Sequence, residues 1–241
     1  MLFQHSESAF QNYKIAFAFS AIPAFITIAF LFFTKYKFPH PEEFESSEKT
    51  IQHLHFDKQF VFYIIGISFF AFGFFDYSLI ALHITKTYIR KSNTLITTTT
   101  LPLLYALAMI VDAISAVGFG LLYDKRGMCA LVIAILLSSP FVFFVFAAHS
   151  PVLLILGIVF WGIGLGAEES ILKAVIAKIV PKEKRATGYG VFEFAFGIFL
   201  FLGSWFFGAL YDVNMVLMMI LSFASELFAT LFFFVVNFGR S

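Results

Sequence analysis

Seven ionisable side chains stand inside stretches that are otherwise apolar: Asp76, Asp112, Glu168, Glu169, Lys173, Glu193 and Glu226. A charge at the centre of a bilayer costs at least about 2.5–3.5 kcal/mol on insertion scales, so such groups face protein or a water-filled path. The chemistry open to them there is proton exchange, contact with a charged or polar solute, or hydrogen bonding between helices. Other chemistries lack their residues. No Gly-rich loop ending in Lys-Ser/Thr is present to cradle phosphates, so an ATP-driven pump is not supported. His53-Leu-His55 with His40 has no acids or cysteines placed to complete a tetrahedral metal site. No cofactor and no enzymatic reaction is expected.

Asp112 ranks first among the seven for substrate or proton contact. Tyr105, Ala108 and Ser115 share its helical face, a polar stripe wide enough to line a cavity. Gly190, Gly197 and Ser204 follow helical spacing around Glu193, and small residues mark helix packing, so Glu193 is expected to point into protein. Two readings stay open for it: a structural acid bonded to a neighbouring helix, or a proton-coupling acid. Glu169 and Lys173 are four apart, the spacing for an ion pair within one turn, which leaves Glu168 without that partner. Gly162, Gly164 and Gly166 just before them imply close packing or a bend. The competing reading places all three charges at the interface, because residues 151–167 already supply seventeen apolar positions. Asp76 shares a face with Gly73 and His83, a carboxylate and imidazole that could relay a proton near neutral pH. His83, however, falls near the end of its span, where solvation is the simpler role. Ser222, Glu226 and Thr230 form a polar line that serves either a pathway or interhelical bonding.

The elements that position these groups follow from composition. The 241 residues are 60% hydrophobic and only 13% charged, with a mean hydropathy of +0.90, which describes an integral membrane protein. A hydrocarbon core of roughly 30 Å needs about 20 apolar residues per helix. Seven stretches meet or approach that length, at about 13–34, 60–82, 101–123, 128–148, 151–180, 188–211 and 213–236. The alternating strands of a spanning β-barrel are absent from the sequence. The expected fold class is therefore an all-α polytopic helical bundle. The 37 phenylalanines read as lipid-facing apolar bulk, the lone Cys129 excludes an internal disulfide, and a net charge of +1 makes no case for nucleic-acid binding.

Basic residues accumulate in short cytoplasmic loops. Placing residues 35–59 inside puts eleven Lys/Arg inside, from Lys35 to Arg240, against four outside (Lys14, Lys86, Arg90, Lys91), with Lys173 within a span. The C-terminus is then cytoplasmic. Residues 36–58, with Pro39, Pro41 and Glu42, Glu43, Glu45 and Glu48, read as a solvated linker between one span and six.

Between the third and fourth spans runs Gly120-Leu-Leu-Tyr-Asp124-Lys125-Arg126-Gly127. This segment resembles the loop signature of the major facilitator superfamily, Gly-x-x-x-Asp-Arg/Lys-x-Gly followed by two bases, except that Met128 and Cys129 replace those bases. Pro181-Lys-Glu-Lys-Arg185-Ala-Thr-Gly188-Tyr-Gly190 looks like the family's loop between helices ten and eleven, and the 36–58 linker looks like its central cytoplasmic loop. The resemblance implies that the first span (1–35) corresponds to the sixth helix of twelve, in a chain truncated at its N-terminus. It also implies that residues 59–241 form the six-helix C-terminal half. Gly208-Ala-Leu-Tyr-Asp212 echoes Gly120-Leu-Leu-Tyr-Asp124 three spans later, as inverted three-helix repeats would, with chance recurrence the alternative. In the signature loop, Asp124 could cap a helix N-terminus and latch the cytoplasmic face, with Lys125 and Arg126 as partners or as topology determinants only.

The function implied is gradient-driven, proton-coupled transport of a small solute by alternating access in the plasma or inner membrane. A half cannot rock against nothing, so the expected partners besides lipid and solute are a second copy or a separate N-terminal half. The alternative is a truncated half-transporter or membrane scaffold in which the acids only hold helices together.

Overall fold

A computed structural model of the chain describes residues 2–37, 57–89, 96–147 and 150–238. Most of the 36–58 linker, with His40, His53 and His55, lies outside the described residues, as do Arg90, Lys91 and Arg240. The chain divides into two units, residues 1–51 and 52–241. In the first, one helix, α1 (Leu2–Lys37), covers the expected first span and contains Pro23. The Thr27 hydroxyl bonds back to the Pro23 carbonyl at 2.9 Å, a common accompaniment of a proline inside a helix.

The second unit is helical, with no strand, among the described residues. Six helical stretches are long and apolar enough to cross a membrane: Lys58–Ile89, Thr100–Arg126, Met128–Phe146, Pro151–Ile179, Arg185–Val213 and Met215–Val236. The protein is thus a multi-pass α-helical membrane protein, since a chain in hydrocarbon must satisfy its backbone within each spanning segment.

Several of these spans are broken, and local chemistry says why. The first runs as α2 (Lys58–Gly73), unwinds over Phe74 and Phe75, and restarts as α3 (Tyr77–Ile84). The Asp76 carboxylate accepts the Ser78 backbone N–H at 2.7 Å, so Asp76 begins a helix instead of continuing one. The uninterrupted helix expected over 60–82 is corrected accordingly. A π-helical turn, Thr85–Ile89, extends α3. The next spans are α4 (Thr100–Arg126) and α5 (Met128–Ser138), the latter continued past a turn at Ser139-Pro140 by α6 (Phe141–Phe146). Then α7 (Pro151–Ala167) starts on a Ser150 cap and passes through a second π turn, Glu168–Leu172, into α8 (Lys173–Ile179). A short 3-10 turn, Lys182–Lys184, leads to α9 (Arg185–Val213), followed by α10 (Met215–Phe238).

Small residues set the closest crossings. A Cβ on Gly162 would stand 2.7 Å from the Ala108 carbonyl oxygen and one on Gly166 2.6 Å from that of Asp112, so α7 lies directly on α4. Of the two readings for this glycine run, close packing is the one realised. On the opposite side, α10 is bonded to α2 by Ser222 to the Gly73 carbonyl (2.8 Å) and Ser225 to the Phe69 carbonyl (2.6 Å).

The phenylalanines divide between two roles. Phe194, Phe201 and Phe234 are exposed on the outside, as bulk facing lipid would be, whereas Phe70, Phe74, Phe75, Phe141 and Phe207 are buried. The buried set forms a continuous chain of ring contacts, including Phe74 on Phe70 at 5.1 Å and Phe75 on Phe141 at 5.3 Å. In a bundle with little polar surface, edge-to-face and offset rings supply specific packing.

The sequence echo has a structural counterpart. Tyr123 and Tyr211 are both buried near the C-terminal ends of their helices, α4 and α9. Each ring carries a lysine from the first helix of the other three-span set: Lys178 Nζ lies 5.7 Å from the Tyr123 ring and Lys86 Nζ 5.0 Å from the Tyr211 ring.

Candidate functional site

Where α2 breaks, four carboxylates from three spans meet. Asp76 from the break, Asp112 from the middle of α4, and Glu168 and Glu169 from the π turn line one cleft of about 280 Å³. Each is placed by a local feature already described: the cap at α3, the stripe on α4, and the widened turn after α7. The stripe expected on α4 is only partly turned inward, with Asp112 and Ala108 buried and Tyr105 half-exposed at the rim. Asp112 is 8% exposed, and its Oδ1 is buried without a hydrogen-bond partner. A buried polar atom left unpaired costs about 1–3 kcal/mol.

One wall of the cleft is aromatic. Trp161 stacks on Phe74 at 5.8 Å with 10° between the planes, and Tyr77 bridges Trp161 (5.7 Å) and Tyr105 (4.9 Å). Hydrogen bonds hold these rings in place: Trp161 Nε1 donates to the Phe75 carbonyl at 3.3 Å and the Tyr77 hydroxyl to the Leu101 carbonyl at 2.7 Å. The Phe75 carbonyl is one of the groups freed by the unwound segment, so the indole both fills and satisfies the break. A second, wider depression of about 450 Å³ shares Asp76, Tyr77 and Tyr105 with the cleft.

Lys173 pairs differently from the i,i+4 expectation. Its Nζ lies 3.7 Å from Glu193 Oε1 on α9, and it forms no ion pair with Glu169. The π turn is the reason: with bonds from i to i+5, it rotates everything downstream relative to an α register. Tyrosine hydroxyls hold this turn from both sides, Tyr63 to the Leu172 carbonyl at 2.6 Å and Tyr189 to the Lys173 carbonyl at 3.2 Å. Glu193 itself is exposed, and nothing stands within 4 Å of a Cβ added at Gly190 or Gly197. The packed small-residue face expected around it is therefore corrected. The face of α9 that packs within the unit carries Gly188, Phe192, Phe196, Gly203 and Phe207 instead.

The Major Facilitator Superfamily model matches this chain over residues 7–204 and again over 88–240. The chain belongs to the major facilitator superfamily. Similar proteins are uncharacterized ones of Mycobacterium bovis and Mycobacterium tuberculosis, 27% identical over 234 residues, which is 95% of this chain and 56% of theirs. The chain thus spans about half the length of the curated relatives it matches. No solved structure matches it.

The facilitator signature segment is not a loop here. Gly120, Asp124, Lys125 and Arg126 belong to the last two turns of α4, and the connection to α5 is the single residue Gly127. Its φ of +58° is the one positive value among the described glycines, a conformation that favours a residue without Cβ. Asp124 is exposed and sits at a helix C-terminus, so it does not cap α5. Gly120 has nothing within 4 Å of an added Cβ.

Glu226 stands apart from the cleft. It is fully buried between α10 and α2, where its Cγ would lie 3.1 Å from a Cβ on Gly73, and neither carboxyl oxygen has a hydrogen-bond partner. Ser222 and Ser225 bond α10 to α2 beside it, while the Thr230 hydroxyl turns back to its own helix, to the Leu227 carbonyl. Part of the expected polar line on α10 is thus interhelical bonding.

A second cluster escaped the sequence reading. Lys86 bonds Asp212 at 2.7 Å, and His83 Nδ1 lies 3.0 Å from the Tyr211 hydroxyl. His83 is 1% exposed, so neither the solvated histidine nor the Asp76–His83 relay is realised: Asp76 turns to Ser78 and His83 to Tyr211. Lys86, counted among the outside bases, lies in the π turn that extends α3. The separation of 126 residues between Lys86 and Asp212 leaves no local signal for this pair. Trp161, one of only two tryptophans, is the missed cleft residue whose rarity offered a clue.

Proposed function

We propose that the chain works in a gradient-driven, proton-coupled transporter of a small solute, and that the cleft between α2–α3, α4 and α7 is its solute path. The observation that carries this reading is the buried, unpartnered Asp112 Oδ1 in a cleft that also collects Asp76, Glu168 and Glu169. A membrane bundle that only held helices together gains nothing from leaving a carboxylate unpaired beside an open space, because each such group is costly in hydrocarbon. Asp112 contacts solute or proton first. Glu193 and Lys173 form a pair that exchanges partners as the path opens and closes.

Alternating access needs a second bundle. The faces that support one are on α4 and α9, the spans with the smallest buried shares, 17% and 28%. Ile110, Ile114, Val117 and Leu121 run exposed along α4, and Gly118, Gly190 and Gly197 on these two helices have no neighbour within 4 Å of an added Cβ. Uncovered small residues fit close helix packing better than lipid. A second six-helix half therefore closes the cleft, in a cell membrane with the C-terminus of this chain cytoplasmic.

The test is transport by Asp112→Asn and Glu193→Gln in membrane vesicles from the native host, where a second half is present, loaded with a pH indicator and challenged with a panel of small solutes. Solute-dependent proton movement by the parent, absent in both variants while they remain inserted and monodisperse, is the expected result. Normal transport by both variants overturns the site assignment, and loss of folded protein in both supports a scaffold role for the acids.

A further inference from the structure

We infer that the ligand of the cleft is an organic cation with an apolar or aromatic body. This rests on the reading of the cleft as a solute site and adds its chemical class. Four carboxylates line the cleft and, among the described residues, no Lys, Arg or His does. The first base after them in the chain, Lys173, is drawn away by Glu193 at 3.7 Å. Asp76 is partly occupied as the cap of α3, through the Ser78 N–H, but the Glu168 and Glu169 carboxylates make no hydrogen bond or ion pair within 4 Å among the described residues, and Asp112 Oδ1 is buried without a hydrogen-bond partner. Three carboxyl groups thus face the cleft with acceptor capacity to spare, one of them on a residue more than nine-tenths buried.

The geometry separates an organic cation from a metal ion. Among the described residues, no three His, Cys, Asp or Glu side chains converge closely enough to hold a metal. The acids are spread around the cleft, an arrangement that suits diffuse charge on a ligand filling the space between them. The aromatic lining fits the same ligand. Phe74, Trp161, Tyr77 and Tyr105 present successive rings with centroids 4.9–5.8 Å apart, and tryptophan and tyrosine faces attract cations within about 6 Å of their centroids. Both aromatic anchors are fixed by hydrogen bonds to backbone carbonyls, so little ordering remains to be done on binding. An anion would meet only carboxylates and ring faces, with no base to receive it.

Trp161 is a built-in reporter. The chain holds two tryptophans, and Trp205 is exposed on the outer face of α9, so Trp205→Phe leaves emission from the cleft alone. The full chain with this substitution, in lipid nanodiscs, is titrated with phenyltrimethylammonium and with benzenesulfonate, aromatic ions of similar size and permanent opposite charge. The expected result is saturable quenching of Trp161 by the cation at a concentration at least tenfold lower than by the anion, with the cation weakened at least fivefold by Asp112→Asn or by Glu169→Gln. Equal or tighter binding of the anion, or no saturable response to the cation, overturns the assignment without reference to any variant's folding. The two readings fail separately. Loss of transport in Asp112→Asn with no cation binding discards the ligand class and keeps the path, whereas cation binding by a chain that moves no solute keeps the ligand class and discards transport.

Discussion

The Tyr63 hydroxyl donates to the Leu172 carbonyl at 2.6 Å, joining the middle of α2 to the π turn that carries Glu168 and Glu169. Tyr63 is fully buried, and a π turn leaves a carbonyl that the α ladder would have used. Tyr63→Phe removes that donor and leaves the carbonyl unpaired, a loss of about 1–3 kcal/mol. A fall in Tm in detergent, with transport reduced because the two glutamates lose their support, is expected. An unchanged Tm means that the turn is held by Tyr189 and packing alone.

Two glycines on α9 make a matched pair. A Cβ on Gly203 would run into the Phe72 carbonyl oxygen, whereas one on Gly197 meets nothing within 4 Å. Gly203→Ala forces α9 off α2 and costs roughly 1–3 kcal/mol by overpacking, while Gly197→Ala leaves the isolated chain's Tm unchanged or slightly raised. Thermal unfolding followed by circular dichroism separates them. A transport defect in Gly197→Ala at normal stability would mark that face as the seat of the second half.

The Lys173–Glu193 pair is half-exposed on both sides, so breaking it changes stability by less than about 1 kcal/mol. Under the proposed function its effect falls on transport. Glu193→Lys is expected to abolish solute-dependent proton movement and Lys173→Glu with Glu193→Lys to recover part of it. Equal loss in single and double variants shows that position, and not the pairing of charges, is what matters there.

Glu226 has no bonding partner to lose. Glu226→Gln keeps its shape and removes the possibility of a buried charge, which costs at least about 2.5–3.5 kcal/mol on insertion scales. The variant is expected to express and melt at or above the parent, and Glu226→Lys to fail to fold. Lower stability of the glutamine variant would show that the carboxyl group itself is required between α10 and α2.

Gly127 carries the turn between α4 and α5 at φ +58°. With ψ at −137° this lies outside the left-handed helical region, so Gly127→Ala strains the backbone by about 1–3 kcal/mol, although there is open space for the Cβ. A loss of that size in chemical unfolding, recovered less by Asn than by Gly, is the expected pattern.

The membrane-spanning bundle was legible from composition and span length because hydrocarbon demands long apolar helices whatever the neighbours are. Asp112, Glu168, Glu169 and Asp76 were legible for the same reason: each is a costly residue in an apolar stretch. Less could be read about which of them meet. The helix breaks after Gly73 and restarts on the Asp76 cap, and the π turn at Glu168 shifts the register, so face arguments based on an unbroken 3.6-residue period misassigned Lys173 to Glu169 and Asp76 to His83. The signature segment was recognisable as a motif, yet its residues are helical to Arg126, since nothing in a Gly-x-x-x-Asp pattern itself stops a helix before Gly127.

The sequence by itself determined the solvent this protein folds in, its helical class, its family and the roster of residues too expensive to be idle. Those properties depend on local composition, span by span. Only the tertiary structure decided that four of the acids share one cleft with an aromatic wall, that Lys173 belongs to Glu193 and Lys86 to Asp212, and that Glu226 is buried away from that cleft. Such pairings join residues tens to more than a hundred positions apart. They are set by where small residues let helices touch and by two π turns and one unwound segment that rotate side chains out of their regular register.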